Sequence, residues 1–194
     1  MVRDGAATLM PTGTAGRLSA ADWVAAGFSL LATDGVKALT VGRLCERVGA
    51  TKGSFYWHFA DIGAYRRAMA DTWAEVNDTD RAEFTGLAGL PPRERLARMM
   101  GALLSQRHWM LERAMREWAR TDADVAAAVA ASDRRVRRAV RQAYLDDGFS
   151  TEEAGVRADA TFAAGVGFLH LSATAPGPRA VAQQQLFLEI MLRH

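Results

Sequence analysis

A chain of 194 residues with 49% hydrophobic and 24% charged side chains is too apolar to be intrinsically disordered. It is long enough for one sizeable domain, or for a small domain joined to a medium one. Its net charge of +2 and pI near 9.0 permit a polyanionic partner without requiring one. A single cysteine, Cys45, excludes an intrachain disulfide and a cysteine zinc cluster.

The positive charge is nearly all arginine, with lysine only at Lys37 and Lys52. The N-terminal MVRDGAATLMPTGTAGR lacks the apolar segment of a secretory signal. The longest apolar stretch, around residues 160–173, falls short of a membrane span and is interrupted by His170. These features, with the lone cysteine, predict a cytoplasmic protein without a membrane partner.

Residues 1–16, rich in Gly, Thr, Ala and Pro, predict a flexible N-terminal arm. Beyond them Ala, Arg and Leu dominate and no alternating strand pattern occurs, so the chain reads as all-α with about nine helices. Ser19 caps a first helix over roughly 20–33, with Trp23, Ala26, Phe28 and Leu30 among its apolar positions, and Asp34-Gly35 stops it. Thr40 caps a short second helix whose Val41, Leu44 and Val48 share one face, and Gly49 ends it in a left-handed turn. Thr51 caps a third helix only two residues later. Two short helices joined by so tight a glycine turn make a helix-turn-helix candidate.

Asp61 caps a fourth helix that runs towards Asn77, and GLAGLPP over 86–92 separates it from the next. A fifth helix spans about 92–107 and a sixth about 108–120. Thr121 or Asp122 caps a long seventh ending at Gly148. Ser150 and Glu153 form a capping box for the eighth, PGP at 176–178 breaks it, and a ninth runs to the end.

The stretch TKGSFYWHF over 51–59 crowds four rings beside a lysine. On a helix, Phe55 and Phe59 lie four apart and turn inward towards Leu30, Val41 and Leu44. Lys52 and Tyr56 form a second such pair on another face, and Gly53 and Trp57 a third. That outward surface has the chemistry of a DNA reader. Lys52 neutralises phosphate, the Tyr56 hydroxyl and His58 donate to phosphate, and Gly53 lets the backbone approach a groove. Thr51 and Ser54 bond phosphate or base edges, and the free amides at the helix start attract phosphate. With Thr40 and Arg43 on the preceding helix and Trp57 beside Tyr56, these residues form the expected DNA-binding set. An exposed aromatic patch for protein association is the competing reading.

TVGRLCERVGATKGSFYWHF closely resembles the helix-turn-helix of the tetracycline-repressor (TetR) family of bacterial transcription regulators. The similarity begins near Leu18 and continues through LLATDGVKALT to Phe59. RERLARMM, ERAMREWARTDADVAAAV and DDGFSTEEAGVRADATFAAGVG, within 93–167, resemble the all-helical regulatory region of an actinobacterial-type branch. The resemblance implies a helix-turn-helix DNA-binding domain over 17–60 and a ligand-binding and dimerisation domain over 61–194. Two departures stand out. Cys45 occupies a position that usually holds a small residue, and Ile62, Gly63 and Tyr65 stand where the family places lysine, an acidic residue and leucine. The usual phosphate-contacting lysine at the start of the fourth helix is therefore missing, and Arg66 and Arg67 follow one turn later.

The resemblance further implies a ligand-responsive, sequence-specific regulator, a repressor released from a palindromic operator by a small apolar effector. Leu103, Met110, Met115, Trp118, Phe162, Phe168 and His170 are the candidate effector-contacting residues, with His108 and Glu112 as further polar anchors. The apolar character of 160–171 on the eighth helix and of QLFLEIML on the ninth predicts a homodimer through these two helices.

Several features also have plainer readings. Cys45 reads as packing rather than a redox sensor. His108 and Glu112, four apart, read as a surface contact rather than a metal pair. His170 reads as a satisfied core histidine or a pocket residue. The arginines of SDRRVRRAVR over 132–141 read as a solvated face paired with Asp133, Asp146 and Asp147 rather than a nucleic-acid patch. No glycine-rich phosphate loop, metal triad or Ser/His/acid set supports an enzyme or a cofactor. A non-specific architectural DNA-binding protein and, more remotely, a small helical enzyme are the alternative functions.

Overall fold

Ser19 opens the first helix with a reciprocal cap: its hydroxyl accepts from the Asp22 amide while the Asp22 carboxylate accepts from the Ser19 amide at 2.8 Å. The computed structural model describes the backbone of residues 18–86, 89–103, 106–171 and 177–194, and the side chains there except over 76–86, 102–103 and 106–108. The expected arm over 1–16 lies outside the described residues.

Helix α1 is Ala20–Asp34, and Gly35 at φ 75° turns the chain out of it. A short 3-10 turn, Val36–Ala38, follows before Thr40 caps α2, Val41–Val48. Gly49 sits in the left-handed region at φ 67° and ψ 35°, where a side chain is strained, so the turn into the next helix requires it. Thr51 caps α3, Lys52–His58, by accepting from the Ser54 amide. Asp61 accepts from the Ala64 amide at 2.7 Å and opens α4, Ile62–Gly86.

The fourth helix runs well past the expected end at Asn77. The polar residues after Asn77 include no glycine or proline before Gly86, so nothing stops propagation. Next come α5, Pro92–Leu103, and α6, Gln106–Trp118, whose junction falls earlier than the spacing predicts. Asp122, not Thr121, caps α7, Ala123–Asp146, by accepting from the amides of Asp124 and Val125. Ser150 and Glu153 form the expected box ahead of α8, Thr151–Leu171, and Pro178 begins α9, Pro178–Met191. Among the described residues there is no strand, so the all-α expectation holds. No helix among them is long and apolar enough to cross a membrane.

Two apolar clusters organise these helices. The first joins Trp23, Leu30, Leu44, Cys45, Phe55 and Phe59 to Tyr65, Met69 and Trp73 of α4, to Met115 and Trp118 of α6, and to Val125 and Val129 of α7. The second joins Leu96 and Met100 of α5, Val140 and Tyr144 of α7, Ala154 and Ala158 of α8, and Leu188 of α9. The end of α9 is held by arginines from elsewhere. Arg93 donates to the Leu192 carbonyl at 2.9 Å, and Arg157 donates to the Met191 and Arg193 carbonyls. These donors satisfy carbonyls that the last helical turn leaves free.

Candidate nucleic-acid interface

The third helix is anchored by its inward rings. Phe55 is fully buried, 5.4 Å edge-on from Trp23 of α1 and 5.5 Å from Tyr65 of α4. Phe59, also buried, meets Tyr65 edge-on at 5.0 Å. Edge-to-face packing of this kind adds to the burial of the rings themselves. Aromatic packing across three helices fixes the roll of α3 and so decides which residues turn outward.

Those residues are Lys52, Gly53, Tyr56 and Trp57, all exposed, with Ser54 and His58 partly covered. Tyr56 is 54% exposed and Trp57 63%, high values for large rings. Trp57 stands edge-on to His58 at 4.7 Å, so the two form one ridge. A Cβ at Gly53 would meet only the Thr51 hydroxyl, at 3.7 Å, which leaves the helix backbone open to a close approach. Thr40 and Thr51 are exposed, and each hydroxyl oxygen accepts from a cap amide, so each retains its proton to donate outward.

Arg43 is exposed but not free: its guanidinium pairs with Asp34 at 3.0 Å. Arg47, on the same helix, donates to the Ser29 hydroxyl and ties α2 to α1. Cys45 is buried in the first cluster, and burial pushes its thiol up, away from the reactive thiolate.

The vacancy left by the missing lysine at the start of α4 has a neighbour that the sequence does not reveal. Arg66 turns inward and donates to the Leu39 carbonyl at 3.2 Å. Arg67 is exposed and folds back along the helix: a Cβ at Gly63 would stand 3.6 Å from its Nη1. A cation therefore lies over the first turn of α4 after all, beside the Asp61 carboxylate, whose Oδ1 is the nearer neighbour of that Cβ at 3.0 Å. Arg67→Ala is expected to weaken DNA binding several-fold and to lower the salt slope by about one. Anisotropy titrations at several salt concentrations check this, and an unchanged slope contradicts it.

The other sequence-derived candidates disperse. Met115 and Trp118 are fully buried in the first cluster, and Trp118 donates from Nε1 to Asp122 at 3.2 Å. Met110, Phe162 and Phe168 are partly buried, and the side chains of Leu103 and His108 lie outside the described residues. His170 is exposed in the single chain, not a core histidine, because α8 buries Thr161, Gly165 and Leu169 and turns position 170 away from that stripe.

Glu112 is buried, not a surface contact; Arg116, one turn on, lies 3.5 Å from it. Asp133, Asp146 and Asp147 have partners on other helices than the α7 run suggests. Those carboxylates meet Arg116, Arg95 and Arg93 respectively, while Arg137 pairs with Asp159 of α8 at 2.6 Å. Among the described residues no three His, Cys, Asp or Glu side chains are grouped to hold a metal ion.

Residues 24–64 match the family model described as bacterial regulatory proteins, tetR family. The fold is similar to that of a transcriptional regulator from Rhodococcus sp. Rha1, with a TM-score of 0.74 at 20% identity, covering 90% of this chain and 94% of that one. It is also similar to a candidate TetR-family transcriptional regulator from Mesorhizobium loti MAFF303099, with a TM-score of 0.68 at 14% identity over 89% and 94% of the two chains. A transcriptional regulator from Cytophaga hutchinsonii ATCC 33406 gives 0.62 at 14% identity over 88% and 94%. No curated protein matches the chain.

Proposed function

We propose, for a chain whose residues 24–64 match the tetR family of bacterial regulatory proteins, that it belongs to that family, and that α3 enters the major groove and makes this a sequence-specific, ligand-responsive transcriptional regulator acting as a repressor in the cytoplasm. The observation that carries the reading is the division of α3 itself. Phe55 and Phe59 are locked inward, while Lys52, Tyr56 and Trp57 stand exposed on the opposite side beside a backbone left open at Gly53. In this reading residues 17–60 form the DNA-binding domain and 61–194 the effector and dimerisation domain.

Selection of bound duplexes with the purified protein should return one palindromic sequence. Lys52→Ala should weaken binding evenly across sequences and lower the salt slope by about one. Tyr56→Ala should cost roughly 1–3 kcal/mol through lost phosphate and packing contacts. Binding indifferent to both changes rejects the assignment. General coverage without a defined protected site favours the architectural alternative, and turnover of a substrate the enzymatic one.

A homodimer through α8 and α9 accompanies this reading. It is supported by apolar side chains left exposed on the single chain: Val156 and Leu171 on α8, and Val181, Leu186 and Ile190 on α9. The Leu186 and Ile190 side chains lie four apart on one face, each about half exposed. Leu186→Glu with Ile190→Glu should halve the mass measured by light scattering and abolish tight binding to the palindrome, whose half-sites would lie about 34–36 Å apart. A wild-type protein that is already monomeric at micromolar concentration rules this out.

For the effector, the partly buried Met110, Phe162 and Phe168 are consistent with a mainly apolar contact surface within the larger domain. Release from DNA requires that the effector prefer a conformation unable to fit both half-sites. A screen of apolar molecules against the DNA complex, with tryptophan fluorescence as a second readout, tests it.

A further inference from the structure

The run of arginines on α7 serves neither the DNA-reading face nor the ion pairs its sequence suggests. Positions 134, 137, 138 and 141 fall at i, i+3, i+4 and i+7 and share one face of the helix, which turns towards the first half of α8. Between the two helices lies an open groove of about 350 Å³. One wall is Arg134, Arg137, Arg138 and Arg141; the other is Gly155, Ala158 and Asp159.

That second wall explains why the groove exists. Ala158 is buried against α7, and a Cβ added at Gly155 would meet nothing within 4 Å. Gly155 and Ala158 carry no long side chain to fill the space, and the Phe162 ring of α8 lies 5.9 Å from the Arg137 guanidinium. The one carboxylate present, Asp159, is taken by Arg137 at 2.6 Å. Arg134, Arg138 and Arg141 have no ion pair among the described residues, and Arg141 is partly buried. Four guanidiniums against one carboxylate leave three positive charges in excess over two turns of helix. Like charges three and four apart on a helix are unfavourable, so the arrangement favours an anion that bridges them.

We infer that this groove is a binding site for a small, multiply charged oxyanion of the polyphosphate class, carried by Arg134, Arg138 and Arg141. Guanidinium forks match the paired oxygens of a phosphoryl group, and several phosphoryl groups in a row match several forks on one helical face. The groove's volume lies within the roughly 300–1,000 Å³ range of small-molecule sites. Its position argues against a shared role with α3. The groove flanks Val140, Ala143 and Ala158 of the second cluster, whereas Val125 and Val129, nearer the start of α7, belong to the first cluster, which also holds Phe55 and Phe59. Val129 and Arg141 are about 18 Å apart along the helix axis.

The test is a calorimetric titration of the full-length protein with inorganic triphosphate at fixed ionic strength. The expected result is saturable binding of one equivalent per chain. Arg138→Ala with Arg141→Ala should weaken it by about tenfold or more, with the thermal melt and operator binding unchanged. Asp159→Asn, which releases Arg137 and removes the opposing charge, should tighten it by about two- to fivefold. No saturable binding up to about 1 mM overturns the proposal, as does binding indifferent to the double substitution. Uptake of a random duplex through the same arginines without uptake of triphosphate assigns the groove to nucleic acid instead and equally overturns it.

Discussion

Gly27→Ala is expected to destabilise the protein by about 3 kcal/mol and to remove DNA binding at ordinary temperatures. Gly27 is where α1 and α4 cross. A Cβ there would stand 1.9 Å from the Tyr65 hydroxyl oxygen, 2.7 Å from the Met69 sulfur and 2.9 Å from the ring carbon bearing that hydroxyl. The phenol cannot swing away cheaply. Tyr65 is fully buried, donates to the Trp23 carbonyl at 2.8 Å, and packs against Phe55 and Phe59. Burial pushes its hydroxyl well up, so it stays neutral and donating throughout the working pH range. An added methyl must therefore break the hydrogen bond, displace the ring or spread the helices, and each moves the scaffold on which α3 is mounted. In a chain of this size about 3 kcal/mol corresponds to roughly 6–12 °C in Tm. Tyr65→Leu in the same chain removes the colliding atoms and should restore part of the loss, a coupling of about 1–3 kcal/mol. Gly27→Ala melting within about 2 °C of the parent would show that the crossing is softer than its packing indicates.

This crossing also marks the limit of what the sequence discloses. Helix ends were legible because their causes are local. Ser19, Thr40, Thr51, Asp61 and Ser150 each accept from the amide three residues on, and Gly49 takes the one conformation that a side chain resists. The inward turn of Phe55 and Phe59 was legible for the same reason, since a spacing of four decides it.

What a polar helix face meets is not local. Nothing near Asp146 in sequence indicates Arg95 as its partner, and nothing near Asp159 indicates Arg137, because both pairs depend on how α5, α7 and α8 dock. Glu112 resembled a surface residue because carboxylates usually are; its burial follows from Arg116 lying beside it. His170 resembled a core residue because its neighbours are apolar, yet the buried stripe of α8 passes it by. Arg67 could not be recognised as covering the start of α4, since its folding back beside Gly63 and Asp61 follows from side-chain placement and not from a motif.

Arg116→Leu should cost about 3 kcal/mol, the low end of the roughly 3–5 kcal/mol seen when one partner of a buried pair is removed. Arg116 joins α6 to α7 with a two-pronged contact to Asp133, at 2.7 and 3.0 Å, while Glu112 of its own helix lies 3.5 Å away. Its side chain is 14% exposed, against 25% for Asp133 and 6% for Glu112, so water screens the group only in part. Burial works against the guanidinium charge, yet the hydrogen bonds and charge of Asp133, with the charge of Glu112, more than offset it and raise its pKa. Leucine fills similar space but deprives Asp133 of its two-pronged partner and removes the guanidinium beside Glu112. Arg116→Lys, which keeps the charge and loses the fork, should fall between the two. Arg116→Leu with Asp133→Leu should recover stability, because it removes a carboxylate that would otherwise stay without its partner. The consequence extends beyond α6 and α7. Met115 and Trp118, on either side of Arg116, are fully buried in the cluster that supports Trp23 and Phe55. Loosening this tie should therefore weaken operator binding even though Arg116 lies outside the reading face. Chemical denaturation of the four proteins, with operator titrations on the same samples, measures both effects. A single substitution within about 0.5 kcal/mol of the parent would mean that the pair contributes no net stability, and the support of α3 would then rest on apolar packing alone.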